Sequence, residues 1–405
     1  RWHEIALPPA ISLPEGDAAE RFRELLLDSV RLHLRADVPV GSCLSGGLDS
    51  SSIVCVVNGF LREEGVRELQ HAFSACSPIA RFDEREYIDV VLAQTGVEGH
   101  CVYPDPDRLF RELERITWHQ DEPFGSTSIF AQWSVFALAA QHGVKVMLDG
   151  QGADEQLAGY RGFHGALYAS LFCRLRWLEL FRELRAAGKT QGISPWWALK
   201  YVADAVLPDV LRLPLRALFG QVSARPDWLN LERLGSVPHD PFRREGPATS
   251  VGELSRRQLT ATNLQMLLHW EDRDSMAHSI EARVPFLDHE LVEFVLGLPD
   301  SFKLHRGVTK RVLREGMRGI LPEAIRTRMS KLGFATPEEH WLRYQSPEKF
   351  RAALRRAVER SEGILTERSM DILNDMISGR RDFSFLPWRM ISFGAWIERF
   401  GVKAA

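Results

Sequence analysis

One short segment of this chain combines glycines, hydroxyls and a carboxylate: SGGLDSS at positions 45–51. A strand-like run over 38–44 precedes it, and a helix with apolar residues at helical spacing follows it. Adjacent glycines leave backbone N–H groups free to turn toward an anion, and the helix N-terminus adds partial positive charge there. Asp49 can bind a magnesium ion carried by phosphates. The pattern predicts a pyrophosphate-binding loop, the alternative being a strand-to-helix turn that binds nothing.

A second segment, LDGQGADE at 148–155, also follows a strand-like run and precedes a helix. Because the carboxyl ends of parallel strands meet at one edge of a sheet, its carboxylates are expected near the first loop. Asp154, at the helix start, is placed to share a magnesium ion with Asp49. The alternative is that Asp154 and Glu155 only complement the helix dipole.

A third segment, EDRDSMAHSIEARVPFLD at 271–288, threads many charges through apolar residues. Buried charges need partners, so this pattern indicates a partly buried polar network. We assign Glu281 to the chemistry. Structural ion pairing explains Asp272, Arg273 and Asp288 as well as any catalytic role.

A fourth segment, KLGF at 331–334, places a lysine beside a turn that glycine permits. Lys331 can therefore bring a point charge to a phosphate. In isolation it is an ordinary surface lysine, and Lys310 and Arg314 are interpreted in the same way.

Strand and helix signals alternate along the first 160 residues, which predicts an α/β fold: a parallel sheet with helices on both faces. Beyond that point strand signals fade and helical segments dominate. We divide the chain into a linker at 1–17, an α/β core at 18–160, a divergent helical insertion at 161–250, and a helical C-terminal part at 251–405 that completes the site.

Composition narrows the class of protein. The 405 residues carry a formal net charge of −3, and 45% are hydrophobic and 26% charged, as in globular domains. The near-neutral charge argues against nucleic acid as a partner. Five scattered cysteines without C-x-x-C spacing imply neither a disulfide framework nor a zinc site. Since no signal-peptide or membrane-spanning run is visible, we expect a cytoplasmic location and no membrane partner.

Together these segments resemble the synthetase domain of the class B asparagine synthetase family, whose relatives include β-lactam synthetases and lasso-peptide cyclases. The matching strings are SGGLDSS, DEPF at 121–124, GxGADE with the trailing Gly159 and Tyr160, DRxSMAHSxEARVPFLD, and KLGF. They run from 43 to 334, whereas 161–250 and the stretch after Trp341 carry no matching string. The resemblance implies an adenine nucleotide alpha hydrolase-like fold of the ATP pyrophosphatase type with a helical extension.

The resemblance also implies a reaction and roles for single residues. Family members adenylate a carboxylate with ATP, release magnesium pyrophosphate, and let an amine displace AMP. Pyrophosphate is expected at Ser45, Gly46, Gly47, Asp49 and Ser50, and AMP at Leu44, Ala75, Asp149 and Gly150. Asp49 and Asp154 are expected to hold Mg²⁺. Lys331 is expected to stabilise charge as the acyl-adenylate forms and collapses.

Two departures from the family pattern concern the amine. Asparagine synthetases are similar at S-G-E/D-G, whereas positions 149–152 read DGQG, so Gln151 replaces the family's acid. An amide orients partners by hydrogen bonds and cannot act as a general base, which makes Glu281 the stronger candidate for that role. In addition, glutamine-dependent members begin with a glutaminase domain that we expect to be missing from this chain, because the opening residues read like a linker from it. The alternative is a protein that uses free ammonia or another amine.

These observations lead us to expect an ATP-dependent ligase that forms C–N bonds, asparagine synthetase-like, joining ammonia derived from glutamine to aspartate. A related ligase with another carboxylate acceptor, of β-lactam synthetase or lasso-cyclase type, is the first alternative. A tRNA-modifying ATP pyrophosphatase and a non-catalytic nucleotide-binding domain are further alternatives. The acid and the oligomeric state stay open, a homodimer being one option.

Overall fold

Five parallel strands form the central sheet of the protein. A computed structural model describes residues 5, 8, 10–65, 70–207, 226–234, 248–330 and 336–403. The strands are β1 (Val40–Cys43), β2 (His71–Ala75), β3 (Glu98–Val102), β4 (Val146–Leu148) and β5 (Glu281–Arg283). They lie in the order β3-β2-β1-β4-β5, and each neighbouring pair is parallel. This sheet and its covering helices confirm the predicted α/β class.

Helices account for most of the other described residues. Up to position 160 they are α1 (Glu15–His33), α2 (Leu48–Glu63), α3 (Arg85–Thr95), α4 (Pro106–Gln120), α5 (Ser128–Gln141) and α6 (Ala153–Gln156). The next are α7 (Gly162–Cys173), α8 (Trp177–Gln191), α9 (Pro195–Val206) and α10 (Leu231–Leu234). Then follow α11 (Val251–Arg257), α12 (Leu264–Met276), α13 (His289–Gly297), α14 (Asp300–Lys303), α15 (Arg311–Gly316), α16 (Glu323–Arg326), α17 (Glu338–His340), α18 (Pro347–Arg360), α19 (Arg368–Ile377) and α20 (Leu386–Phe400). A short antiparallel hairpin, β6 (Leu304–His305) and β7 (Val308–Thr309), precedes α15.

Apolar side chains cover both faces of the sheet. Val146 and Leu148 belong to a buried cluster with residues of α1 and α2, whereas Met147 between them packs with residues of α5. Successive residues of a strand point to opposite faces, so a short, wholly apolar strand is buried on both sides. A third cluster joins α4 and α5 to α18, α19 and α20. It holds the C-terminal helices against the core.

The strand order reverses between β1 and β4. From β1 the chain moves outward through β2 and β3, and it then returns to place β4 on the other side of β1. The connections that leave these two strands at their carboxyl ends diverge, and a crevice opens between them. These connections comprise residues 44–47 and 149–152. They belong to the two segments for which the sequence predicted pyrophosphate and magnesium binding.

Strand β5 comes from the segment that the sequence analysis interpreted as a charged network. Its register pairs Glu281 with Val146 and Arg283 with Leu148. A three-residue strand reading Glu-Ala-Arg carries no apolar alternation by which it could be recognised. The sheet is therefore completed by residues far along the chain from the other four strands.

Among the described residues, no helix combines the length and the apolar character that crossing a lipid bilayer requires.

Candidate active site

The connection between β1 and α2 carries the first set of candidate residues. Gly46 has a φ of +68°, and a Cβ there would lie 2.8 Å from Tyr87 Cβ, so both its conformation and its surroundings require glycine. The hydroxyls of Ser45 and Ser50 lie 3.1 Å apart, and Ser50 Oγ accepts a hydrogen bond from the Ser45 N–H. These groups gather at the N-terminus of the 16-residue helix α2, where partial positive charge favours an anion.

Two carboxylates from separate connections converge at the same edge. Asp49 lies in the first turn of α2 and Asp154 in α6, and both are largely buried. The ammonium of Lys310 lies between them, 2.5 and 2.7 Å from the Asp49 oxygens and 2.6 Å from Asp154 Oδ1. Carboxylate oxygens are also the ligands that Mg²⁺ prefers, so the same two side chains could bind that ion.

Close packing holds the two connections together. A Cβ at Gly150 would lie 2.9 Å from Asp49 Cβ, so only glycine lets the second connection approach the start of α2 this closely. The turn beyond α6 is anchored on the buried Glu155. Its Oε1 accepts hydrogen bonds of 2.7 Å from the Tyr160 hydroxyl and from the Asn263 amide. The second connection and its carboxylates are therefore held in place.

Buried acids lie beside the second connection. Glu271, on α12, is 1% exposed, and its carboxyl faces the side chains of Gln151 and Asp149. Burial, followed by the negative charges of Asp149 and Asp274, raises the pKa of Glu271 well above its ordinary value. Burial also raises the pKa of Asp149, whose Oδ1 accepts a hydrogen bond from the Gln151 N–H. A carboxyl with a raised pKa is a stronger base than an ordinary carboxylate, which suits a group that accepts a proton.

An open cavity of about 430 Å³ borders Asp49 and the Lys310 side chain that contacts both aspartates. Four cationic side chains line it: Arg161, Lys310, Arg314 and Arg328. Positive charge gathered around a cavity attracts polyanions such as phosphates. A smaller cavity of about 40 Å³ is lined by Ser45, Ala75 and Glu84, among others, so it lies next to the same loop.

Arg328 fastens the loop to the neighbouring helix α3. Its guanidinium donates to the Gly46 carbonyl at 2.9 Å, pairs with Glu84 at 2.5 Å, and lies 3.6 Å from the ring centroid of Tyr87. Positions 331–335 follow shortly after and lie outside the described residues. The role predicted for Lys331 therefore stays a prediction.

The predicted nucleotide-contacting residues lie at the carboxyl edge of the sheet. Leu44 is buried directly after β1, and Ala75 is the last residue of β2. The other members, Ser45, Gly46, Gly47, Asp49, Ser50, Asp149 and Gly150, belong to the two connections or to the start of α2. Their contacts with a nucleotide stay predictions, and so do the Mg²⁺ contacts of Asp49 and Asp154.

Glu281 is a correction to the sequence analysis. It is the first residue of β5 and pairs with Val146, the first residue of β4, so it lies at the amino end of the sheet, away from the two connections. Its side chain is 62% exposed and forms an ion pair of 2.8 Å with Arg283, which lowers the pKa of Glu281. The position of Glu281 therefore does not fit the role of a base at this site.

Two residues of the site went unrecognised in the sequence. Lys310 was interpreted as a surface lysine, yet it is 4% exposed and contacts both aspartates. Its φ of +56°, unusual for a residue other than glycine, places it at the start of α15. Glu271 appears in the sequence analysis only as part of the charged segment 271–288. The sequence feature that could have identified Glu271 is its position, as an acidic residue directly after the apolar residues of a helix.

The parallel sheet, its reversed strand order and the loop at the first strand define an adenine nucleotide alpha hydrolase-like fold. The family model described as asparagine synthase matches residues 21–398. The chain belongs to the asparagine synthase family.

Its similarity to individual relatives is moderate and extends over most of its length. Glutamine-hydrolyzing asparagine synthetase 1 of Bacillus subtilis is 28% identical over 405 residues, covering 95% of this chain and 60% of that protein. Glutamine-hydrolyzing asparagine synthetase 3 of the same species is 30% identical over 328 residues, covering 76% and 47%. Amidase chyE of Penicillium rubens is 27% identical over 371 residues, covering 81% and 53%. The chain thus spans about half to three-fifths of the length of these relatives.

Proposed function

We propose that this chain catalyses ATP-dependent amide formation, in which a carboxylate is activated as an acyl-adenylate and then captured by ammonia. The observation that carries the proposal is the convergence of Asp49 and Asp154 beside the 44–47 loop. Membership of the asparagine synthase family supports it. Aspartate is the proposed acid. Glutamine, hydrolysed by a glutaminase domain, is the proposed source of ammonia, because the names of the two Bacillus relatives specify glutamine hydrolysis.

In the first half-reaction a carboxylate oxygen of the acid attacks the α-phosphorus of ATP, and the bond from that phosphorus to the bridging oxygen breaks. Negative charge grows on the departing pyrophosphate. The N–H groups of the loop, the Ser45 and Ser50 hydroxyls and the N-terminus of α2 donate to it. Lys310 and Arg314, which face the same cavity, neutralise part of this charge.

The residues present fit a magnesium ion at this place. Asp49 and Asp154 supply hard oxygen ligands, and the Lys310 ammonium already takes a cationic position between them. When bound, Mg²⁺ neutralises phosphate charge and orients the triphosphate. Asp49 and Asp154 would hold the ion, and the Lys310 ammonium would then be available to pair with the phosphates.

In the second half-reaction ammonia attacks the acyl carbon, the bond to AMP breaks, and the new nitrogen loses a proton. Glu271 accepts that proton, because its buried carboxyl is a stronger base than an exposed one. Gln151 orients the amine, since its Nε2 can donate to Glu271 while its Oε1 accepts from ammonia. In this proposal Glu271 replaces Glu281 as the base.

ATP–pyrophosphate exchange over a panel of carboxylic acids tests the proposal. With Mg²⁺ and the full chain, we expect exchange that depends on aspartate, and equal amounts of AMP, pyrophosphate and asparagine when ammonium chloride is added. Exchange with no acid of the panel, from a folded chain that binds ATP, would contradict the proposal.

A second candidate function keeps the activation step and changes the acceptor or the amine. Gln151 favours it, because an amide stands where asparagine synthetases of the resembling family carry an acid. Exchange that another acid supports and aspartate does not, or product formation with primary amines but not with ammonium, would identify this second function.

A further inference from the structure

A cluster of imidazoles and one carboxylate lies at the amino end of the sheet. His71 is the first residue of β2 and Glu98 the first residue of β3, and the two are paired in register. His100, two residues beyond Glu98, points to the same face. A five-residue strand is about 15 Å long, so this cluster is well separated from the 44–47 loop at the carboxyl end.

The potential ligand atoms of this cluster face one another at short range. His71 Nδ1 lies 3.0 Å from His100 Nε2. Glu98 Oε1 lies 3.5 Å from His100 Nε2, and Glu98 Oε2 lies 3.8 Å from His71 Nδ1. Among the described residues, this is the group of three His, Cys, Asp or Glu side chains whose ligand atoms all lie within 4.8 Å of one another.

These separations match a tetrahedral zinc site. Zinc–ligand bonds of about 2.0–2.1 Å place neighbouring ligand atoms about 3.3 Å apart. Two imidazoles and one carboxylate are ligands that zinc accepts, and three protein ligands leave a fourth position for water. A hydrogen bond between the two imidazoles explains the 3.0 Å contact alone, but it gives no reason for Glu98 to approach both rings.

We propose that His71, Glu98 and His100 bind a zinc ion that joins the edge strand β3 to β2. The surroundings suit such a site. His100 is enclosed on one side by the Phe73 ring, with centroids 5.0 Å apart, and on another by His142, with centroids 3.9 Å apart. The exposed sides of His71 and Glu98 admit the ion and a water molecule from solvent. Since β3 is an edge strand, such a bond stabilises the pairing that is least supported by neighbours.

Competition with a chromophoric chelator tests the site on the full, tag-free chain after treatment with EDTA. Wild-type protein should bind one zinc ion per chain, and saturating zinc should raise Tm by about 3 °C at one hundred times Kd. The variants His71→Ala and His100→Ala should each weaken binding by roughly 100-fold, and Glu98→Gln by roughly 10-fold or more. Bound Co²⁺ should give the intense visible bands of four-coordinate geometry.

His142→Phe is the matched control. The substitution replaces the imidazole that lies beside His100 and keeps an aromatic ring there. It removes none of the three assigned ligands. It should bind zinc as wild type does, within about threefold. Because Glu98 is half exposed, Glu98→Gln keeps the fold even if a histidine variant does not. Wild-type binding no tighter than that of Glu98→Gln, or loss of binding in His142→Phe, would overturn the assignment.

Discussion

The Lys310 ammonium lies 2.5 and 2.7 Å from the two carboxylate oxygens of Asp49, although 261 positions separate the residues. The same ammonium lies 2.6 Å from Asp154. One buried cation thus balances two buried anions at the carboxyl edge of the sheet. Without it, the like charges of Asp49 and Asp154 would be less well compensated in a poorly solvated place, which is costly. A divalent cation can meet the same requirement.

The variant Lys310→Met tests this balance. Removing one partner of a buried ion pair leaves uncompensated charge, so the free energy of unfolding should fall by about 3 kcal/mol. Added Mg²⁺ should restore part of the loss and raise Tm more than in wild type. Urea unfolding with and without Mg²⁺ measures both effects. Lys303→Met is the matched control, since Lys303 is also buried and donates to the Leu296 carbonyl instead of to a site carboxylate; the stability of this variant should not respond to Mg²⁺.

The variants Asp49→Asn and Asp154→Asn test the magnesium assignment. Each keeps the size of the side chain and removes a charged oxygen ligand, so the rate of ATP–pyrophosphate exchange should fall roughly 100-fold or more. Circular dichroism should show an intact fold. Asp107→Asn removes an exposed carboxylate that pairs with Lys349 and serves as the control. Wild-type exchange in either site variant would contradict the assignment.

The pair Glu271→Gln and Glu281→Gln separates the two candidates for the base. Glu271→Gln should slow amide formation roughly 100-fold and leave ATP–pyrophosphate exchange within about threefold, because the base acts only in the second half-reaction. Glu281→Gln, exposed at the other end of the sheet, should change both rates less than about twofold. The reverse pattern would identify Glu281, and not Glu271, as the base.

Glu271 also predicts a pH dependence of the amide-forming step. A base acts in its ionised form, so the rate should fall as pH decreases through the raised pKa of Glu271. In Glu271→Gln this decrease should be absent. Single-turnover rates from pH 6 to 9, measured after the acyl-adenylate has formed, distinguish the two profiles. An unchanged decrease in the variant would assign the titration to another group.

Glu338 predicts a pH dependence of stability. Burial raises its pKa to about 7, above the ordinary value of 4.5, so the folded state favours the protonated form. Its contribution to stability is complete below pH 4.5, declines as pH rises to 7, and is then constant, a loss of about 3 kcal/mol. Glu338→Gln should lack this decline between pH 5 and 8 in urea unfolding. An equal decline in both proteins would contradict the assignment.

The proximity of Asp49 and Asp154 could be predicted from the sequence. Each follows a short apolar strand and lies in the first turn of a helix. One topological rule, that parallel strands present their carboxyl ends at the same edge, then brings the two connections together. Strand β4 was recognised because its residues Val146, Met147 and Leu148 are all apolar and are buried on both faces of the sheet.

The remainder of the site depends on tertiary packing that local patterns do not encode. Lys310 reaches the aspartates because a hairpin and an unusual backbone conformation place it there. Glu271 has a raised pKa because α12 packs behind the second connection. The role of Glu281 was wrongly inferred because the register of β5 decides at which end of the sheet Glu281 lies. The register of a three-residue strand cannot be predicted from its sequence.

Transfer of ¹⁸O from the acid to AMP tests the central claim most directly. If a carboxylate oxygen attacks the α-phosphorus, aspartate labelled with ¹⁸O in its side-chain carboxylate should yield AMP that carries one ¹⁸O atom per amide formed. Mass spectrometry of the AMP from a reaction with ATP, Mg²⁺ and ammonium chloride measures this ratio. We predict a ratio of one after correction for isotopic enrichment. Amide formation with unlabelled AMP would contradict activation by adenylation.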